Sequence, residues 1–253
     1  MPTSSALRFQ IERTLEHRFP SALTPSPRTN HEVASTGVID ADALLGGGLP
    51  VGAISELTGP DSSGRTTLAL SFLAQRTEDN QVCAWVDVDD ALDPESAGAT
   101  GVALQRLLWV RCRNAHREVQ TRPWTRLDQA LRATDLLLQV GGFAAIVLDL
   151  GGITPQHGNR IPLATWFRFR QAADRTRCSL VILCKASYAQ SSTAVVLECT
   201  PLSVADEGGR VLREFTFEIR RRRERFTPFI EGMRKPPAST WSAKAAWERE
   251  VRI

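Results

Sequence analysis

Apolar residues recur along this chain in two rhythms. Near the amino terminus Leu7, Ile11, Leu15 and Phe19 stand four apart behind the capping candidates Thr3, Ser4 and Ser5, which places them along one face of a short amphipathic helix. Pro20 to His31 then carries three prolines among small polar residues and predicts an extended linker. From Val33 the grammar changes to short, nearly continuous apolar runs alternating with helical periodicity. Strands are expected over Gly52–Gly59, Gln81–Asp90, Phe143–Gly152 and Cys178–Lys185, and helices over Thr66–Glu78, Asp128–Gly142 and Leu163–Arg177. Strands that are apolar at every position, rather than at alternate ones, are buried on both faces, so the pattern predicts an α/β fold with a mostly parallel central sheet flanked by helices.

The last part differs. Thr193–Cys199 and Arg213–Phe226 read as strands joined by the polar turn Pro201–Gly209, a C-terminal antiparallel hairpin continuing the sheet. Beyond Phe229 periodicity is lost until a short candidate helix, Ser239–Glu250. The expected organisation is an N-terminal helix and linker over 1–32, a core over 33–230 and a flexible C-terminal tail over 231–253.

Composition narrows the class only slightly. With 253 residues and 42% hydrophobic content the chain can build one substantial core, and a net charge of +3 does not by itself imply nucleic acid. Cys83, Cys112, Cys178, Cys184 and Cys199 form no C-x-x-C pair and read as reduced thiols. With no signal-peptide core and no apolar run of spanning length, the sequence predicts a soluble, cytoplasmic chain with no membrane association.

The chemistry concentrates in Gly59–Thr67, GPDSSGRTT. This has the spacing of a phosphate-binding loop, in which glycines let backbone N–H groups surround phosphates, a lysine reaches the outer phosphates and a hydroxyl holds the metal. Strand, loop and helix stand in the required order, but the lysine position is Arg65. Asp149, ending a buried strand, fits the acid that orients a magnesium shell. Its bland alternative is an exposed acid capping a strand end.

The ordered blocks STG at Ser35, GGLP at Gly47, the loop at Gly59 and D-x3-ALDP at Asp87, with Asp149, resemble the ATPase core of the bacterial RecA recombinase from about Val33 to Phe229. The resemblance implies Mg-ATP as cofactor, with Gly59, Ser62, Ser63, Gly64, Arg65, Thr66, Thr67, Asp93 and Asp149 at the nucleotide and magnesium held through Thr66 and Asp149. It also implies an N-terminal helix that docks on a neighbouring subunit, so the Leu7 to Phe19 stripe is a candidate for self-association as well as for packing on its own domain. The departures matter equally. The catalytic glutamate falls at Asp89, one methylene shorter and pulled back from any water it would activate. The base-stacking tyrosine three residues after Asp93 is Ser96. The γ-phosphate sensor position holds Lys185, and only Ala186–Ser192 separates it from the next strand, where the family has a long DNA-binding loop. The other DNA loop maps to Gly151–Pro162, which has one arginine and no aromatic for base stacking. Arginine keeps the charge of lysine but not its shape, so Arg65 leaves two states open: nucleotide bound through backbone amides, or no cofactor at all.

A RecA-like core with weakened ATPase and shortened loops is similar to the ImuA family of damage-induced mutagenesis and translesion synthesis. That resemblance implies RecA, an ImuB-like protein and an error-prone polymerase as partners, with hydrolysis weak or absent. An active DNA-dependent ATPase or recombinase paralogue, and a SulA-like cell-division inhibitor, are the alternatives. In the run Arg220–Phe226, strand alternation places Arg221 and Arg223 on one face, as charges protecting an edge, as contacts to DNA phosphates, or as contacts to a neighbour's nucleotide. Trp241 and Trp247 in the tail suit docking to a partner, or packing on the core.

Overall fold

The computed structural model describes residues 32–112, 125–207, 211–224 and 237–244. In chain order these form β1 (Val33–Ala34), α1 (Ile39–Leu45), β2 (Leu49–Pro50), β3 (Ile54–Thr58), α2 (Arg65–Glu78), β4 (Cys83–Asp87), α3 (Pro94–Thr100), β5 (Leu107–Arg111), α4 (Arg126–Val140), β6 (Ala145–Asp149), α5 (Pro155–Gly158), α6 (Leu163–Thr176), β7 (Ser179–Cys184), β8 (Val195–Glu207), β9 (Val211–Glu224) and β10 (Ala238–Lys244). Eight strands make the main sheet in the order β10-β9-β8-β3-β7-β6-β4-β5. From β8 through β5 the pairs are parallel, and β9 and β10 add antiparallel at the other side. The expected α/β fold with a C-terminal hairpin is the fold observed.

The apolar runs explain the layering. Every residue of β3, β4 and β7 is buried, so these strands need cover on both faces. On one face Leu68, Phe72 and Leu73 of α2 pack with Leu57, Trp85, Val147 and Val181. On the other, Leu138 of α4 and Trp166 and Phe169 of α6 pack with Ile54, Ala84, Ile146 and Leu180, the two aromatic rings meeting edge-on at 5.9 Å. Each such side chain contributes about 1.5–3 kcal/mol by leaving water. The helices start where their caps say they should: Thr125 and Asp128 form a reciprocal capping box on α4. In the STG block Ser35 Oγ, Thr36 N–H and Thr36 Oγ1 all donate to the Asp42 carboxylate of α1 at 2.6–2.8 Å, so that block is an anchor for the helix.

Three expectations need correction. The polar stretch Pro201–Glu207 is not a turn: β8 runs through it to Glu207, kept in strand by bulges beside Leu202 and Asp206. Residues 238–244 are neither a flexible tail nor the start of a helix but strand β10, paired with β9 from Arg220 to Glu214. Its alternate residues Trp241 and Ala243 face the core, which a helical reading of the same letters obscures. Finally, Arg221 and Arg223 do not share a face. Leu197 pairs with Arg221 and Val196 with Arg223, leaving Arg222 as an extra residue in β9, and this bulge turns the alternation over.

Candidate functional site

All the chemically promising segments lie at the carboxyl end of the parallel strands, where β3, β4, β6 and β7 release their chains. The phosphate loop is shaped by close approach. Gly59, at φ 152°, has so little room that a Cβ there would fall 2.2 Å from the Cys199 carbonyl oxygen, and a Cβ on Gly64, at φ 84°, would fall 2.9 Å from the Phe217 ring. Ser63 is buried, and its hydroxyl has no hydrogen-bond partner. Thr66 is exposed at the start of α2. Ser62 to Thr67 line a cleft of about 190 Å³ closed on one side by Phe215 and Phe217, whose rings stack at 5.9 Å.

Arg65 does not curl over this cleft. Its side chain is buried, Nη1 donates to the Cys184 carbonyl at the end of β7 at 2.5 Å, and Nη2 lies 3.5 Å from Asp61. The same carbonyl accepts the Gly59 N–H at 3.2 Å. Lys185, the next residue after β7, places Nζ 3.1 Å from the other oxygen of Asp61. Both cations near the loop are therefore paired with one carboxylate at its tip. Asp61 carried no signal of its own in the sequence beyond its place inside the motif.

The acids around the loop are similarly occupied. Asp149 accepts the Gly151 N–H at 2.9 Å, and burial lifts its carboxyl to about 6, with Gly151 and Arg65 pulling down and Asp87 and Asp89 pushing up. Asp89 lies 3.4 Å from Arg126 and presses against Gly152, where a Cβ would fall 1.9 Å from Oδ2. Asp93 caps α3: it accepts the Glu95 and Ser96 N–H groups and the Ser96 hydroxyl, and those bonds, the Ser96 hydroxyl foremost, hold its carboxyl below the ordinary range. Ser96, at the expected base-stacking position, is thus part of a cap. Asp87, fully buried, accepts from Ala91 N–H, Leu92 N–H and Trp109 Nε1, and so shapes the loop after β4.

The two connections beside this loop are fastened down. Glu56, in the middle of β3 and wholly buried, accepts four hydrogen bonds: Ser187 Oγ at 2.6 Å, Tyr188 N–H at 2.7 Å, Ala189 N–H at 2.9 Å and Thr193 Oγ1 at 2.9 Å. The segment after β7 is therefore pinned to the sheet by a carboxylate that the sequence reading passed over. Its signal was available: a glutamate inside a run buried on both faces must gather donors or be neutralised. Tyr188 extends the fastening, since its ring fills the space over Gly158, where a Cβ would come within 2.3 Å of it, and its hydroxyl donates to the Ile153 carbonyl at 3.3 Å. The stretches corresponding to the two expected DNA loops are packed on each other.

The remaining candidates separate. Arg221 donates to the Leu44 carbonyl of α1 at 3.0 Å, whereas Arg223 donates to the Gln190 carbonyl at 2.7 Å. Trp241 is buried against Phe217, with ring centroids 4.9 Å apart, so it packs on its own core rather than offering itself to a partner. Leu7, Ile11, Leu15, Phe19 and Trp247 lie outside the described residues. Among the described residues, no helix is long and apolar enough to cross a membrane.

Residues 4–157 match the RecA N-terminal domain. The chain belongs to the RecA family. It is 42% identical over 127 residues to the protein RecA of Allorhizobium ampelinum, covering 49% of this chain and 32% of that protein. It is 36% identical over 154 residues to RecA of Colwellia psychrerythraea, covering 60% of this chain and 41% of that one. The chain thus spans about a third to two fifths of the length of these curated relatives. The crystal structure of the RadB recombinase superposes with a TM-score of 0.59 at 18% identity over 82% of this chain and 94% of that one, a likeness of fold. Within this RecA-family frame, a magnesium nucleotide fits one half of the site and not the other. The glycine cradle and the unpartnered Ser63 hydroxyl suit a phosphate, but Arg65, Lys185, Asp89 and Asp93 are each engaged with protein atoms.

Proposed function

We propose that this RecA-family chain is an assembly protein of the bacterial DNA-damage response, of the ImuA type, in which the ATPase core serves as a rigid platform and its nucleotide site is degenerate. Its partners in this reading are RecA, an ImuB-like protein and an error-prone polymerase, and its setting is damage-induced mutagenesis by translesion synthesis in the cytoplasm. The N-terminal stripe Leu7, Ile11, Leu15 and Phe19 carries contacts to a neighbouring chain, outside a core that begins near residue 33. Membership of the RecA family supports a role connected with DNA repair or recombination. The observation that carries the finer reading is the fastening of both loop segments by Glu56 and Tyr188. In these two segments the Ser187 hydroxyl and the Tyr188 and Ala189 N–H groups are consumed within the protein, and their one aromatic, Tyr188, is buried rather than free to stack on bases.

The test is capture of purified RecA and of the ImuB-like protein by the full chain, alongside single-stranded-DNA-stimulated phosphate release. Capture that is lost in Ile11→Asp while the fold is kept, with no phosphate release above background, is the expected result. The orphaned Ser63 hydroxyl favours a second reading, a working DNA-dependent ATPase using Thr66 and Asp149 for magnesium and Asp89 as base. Turnover that disappears in Thr66→Ala would establish that reading in place of the first.

A further inference from the structure

The cations of the phosphate loop are balanced before any phosphate arrives. Arg65 is only 8% exposed, and a guanidinium buried to that degree needs partners. It has two, and both belong to the loop's own surroundings: the Cys184 carbonyl at 2.5 Å and the Asp61 carboxylate at 3.5 Å. Because Gly59 N–H shares that carbonyl, the first and seventh residues of the motif converge on a single oxygen at the end of β7. Asp61 is 75% exposed and is held at the loop tip by Arg65 on one oxygen and Lys185 on the other. Lys185 in turn begins the segment that Glu56 pins to the sheet.

We propose that Arg65 is an internal clamp that does for this loop what a bound nucleotide does elsewhere: with Asp61 and Lys185 it fixes the phosphate loop to the β7–β8 connection in one arrangement and keeps nucleotide out. The proposal rests on the degenerate-site reading above and states its cause. A triphosphate entering the cradle meets Arg65 and Lys185 already paired and is repelled by the Asp61 carboxylate, which it would have to displace from both. The same contacts join the loop to Lys185, so the clamp ties the two segments together without nucleotide. A lysine at position 65 is expected to hold the two partners less well. Its donors radiate from one nitrogen, whereas the guanidinium presents the carbonyl and the carboxylate with separate nitrogens in a fixed plane.

The experiment uses the full chain and reads two quantities, the thermal midpoint and calorimetric binding of ADP with magnesium, in the natural protein, Arg65→Lys, Arg65→Gln and Asp61→Asn. The natural protein is expected to show no shift of midpoint with millimolar ADP. Arg65→Lys and Arg65→Gln both lower the midpoint by roughly 5 °C, the loss of a charge-assisted hydrogen bond in a chain of this size. Arg65→Lys, and separately Asp61→Asn, gain affinity for ADP by about tenfold or more over the natural chain, whereas Arg65→Gln, which loosens the loop without supplying charge, does not. The clamp is overturned if ADP binds the natural protein more tightly than Arg65→Lys, or if both Arg65 variants melt with the natural protein. Partner capture reads neither quantity, so the clamp can fail while the assembly role stands, and the reverse.

Discussion

The phosphate loop and the connection after β7 lie side by side, joined through Asp61 and Lys185, and they keep their shapes by opposite means. The loop is held by what is missing: glycine hydrogens where a Cβ would collide with Cys199 or Phe217. It keeps a buried hydroxyl, that of Ser63, with nothing to bond. The connection is held by what is present, a carboxylate with four donors and a tyrosine ring over a glycine. Geometry of the first kind does not depend on a ligand being bound, because a glycine keeps its room whether or not the cradle is filled. Geometry of the second kind forecloses motion, because every opened bond strands a polar group on a buried acid.

That contrast can be broken most directly at Glu56. Glu56→Gln keeps the volume but turns part of the acceptor into a donor facing donors, and we expect a loss of about 3 kcal/mol in urea unfolding. A loss below about 1 kcal/mol would mean that the connection does not depend on its carboxylate. Gly59→Ala should cost less, about 2 kcal/mol, because the loop can shift to relieve part of the contact with Cys199. If it costs more than Glu56→Gln, the loop is the more rigid of the two regions, and the comparison inverts. Asp149, next to Arg65, sharpens the contrast with a smaller effect. Its carboxyl is raised from 3.8 to about 6, chiefly by burial, so between those values the folded chain holds a proton that the unfolded chain has released. Stability attributable to this group therefore falls as pH rises through that window, and the ionised penalty is complete above it. Asp149→Asn should be more stable than the natural protein by about 1 kcal/mol at pH 7.5 and indistinguishable from it at pH 3.5, read from unfolding midpoints across the range.

Much of the fold was legible because burial on both faces writes itself into uninterrupted apolar runs. The strands β3, β4, β6 and β7 and the helices α2, α4 and α6 all follow that signal. Elements at the margin do not. The edge strand β5, LLWVR, leaves Leu108 44% exposed and presents no clean alternation, and β10 disguises its inward Trp241 and Ala243 among serine, threonine and alanine that suit a helix equally well. The bulge at Arg222 depends on pairing partners distant in sequence, so no local reading could place Arg221 and Arg223 on separate contacts. The site was legible as motif and illegible as commitment. Spacing announced Arg65, Lys185, Asp89 and Asp93, but the fold reveals the partners of Arg65 and Lys185, Cys184 and Asp61, which tertiary contacts bring in across more than a hundred residues, whereas the cap that engages Asp93 is local to Ser96.

Tyr188 has one more consequence. It is the single tyrosine in the chain, it is 2% exposed, and burial foremost raises its phenol above the ordinary value of 10. A reagent that nitrates or iodinates phenols therefore has one phenol to modify, and it gains access when the segments on either side of that ring part. The protein carries its own chemical gauge of whether this end of the sheet ever opens, readable as a mass increment on one peptide and comparable with and without any candidate partner.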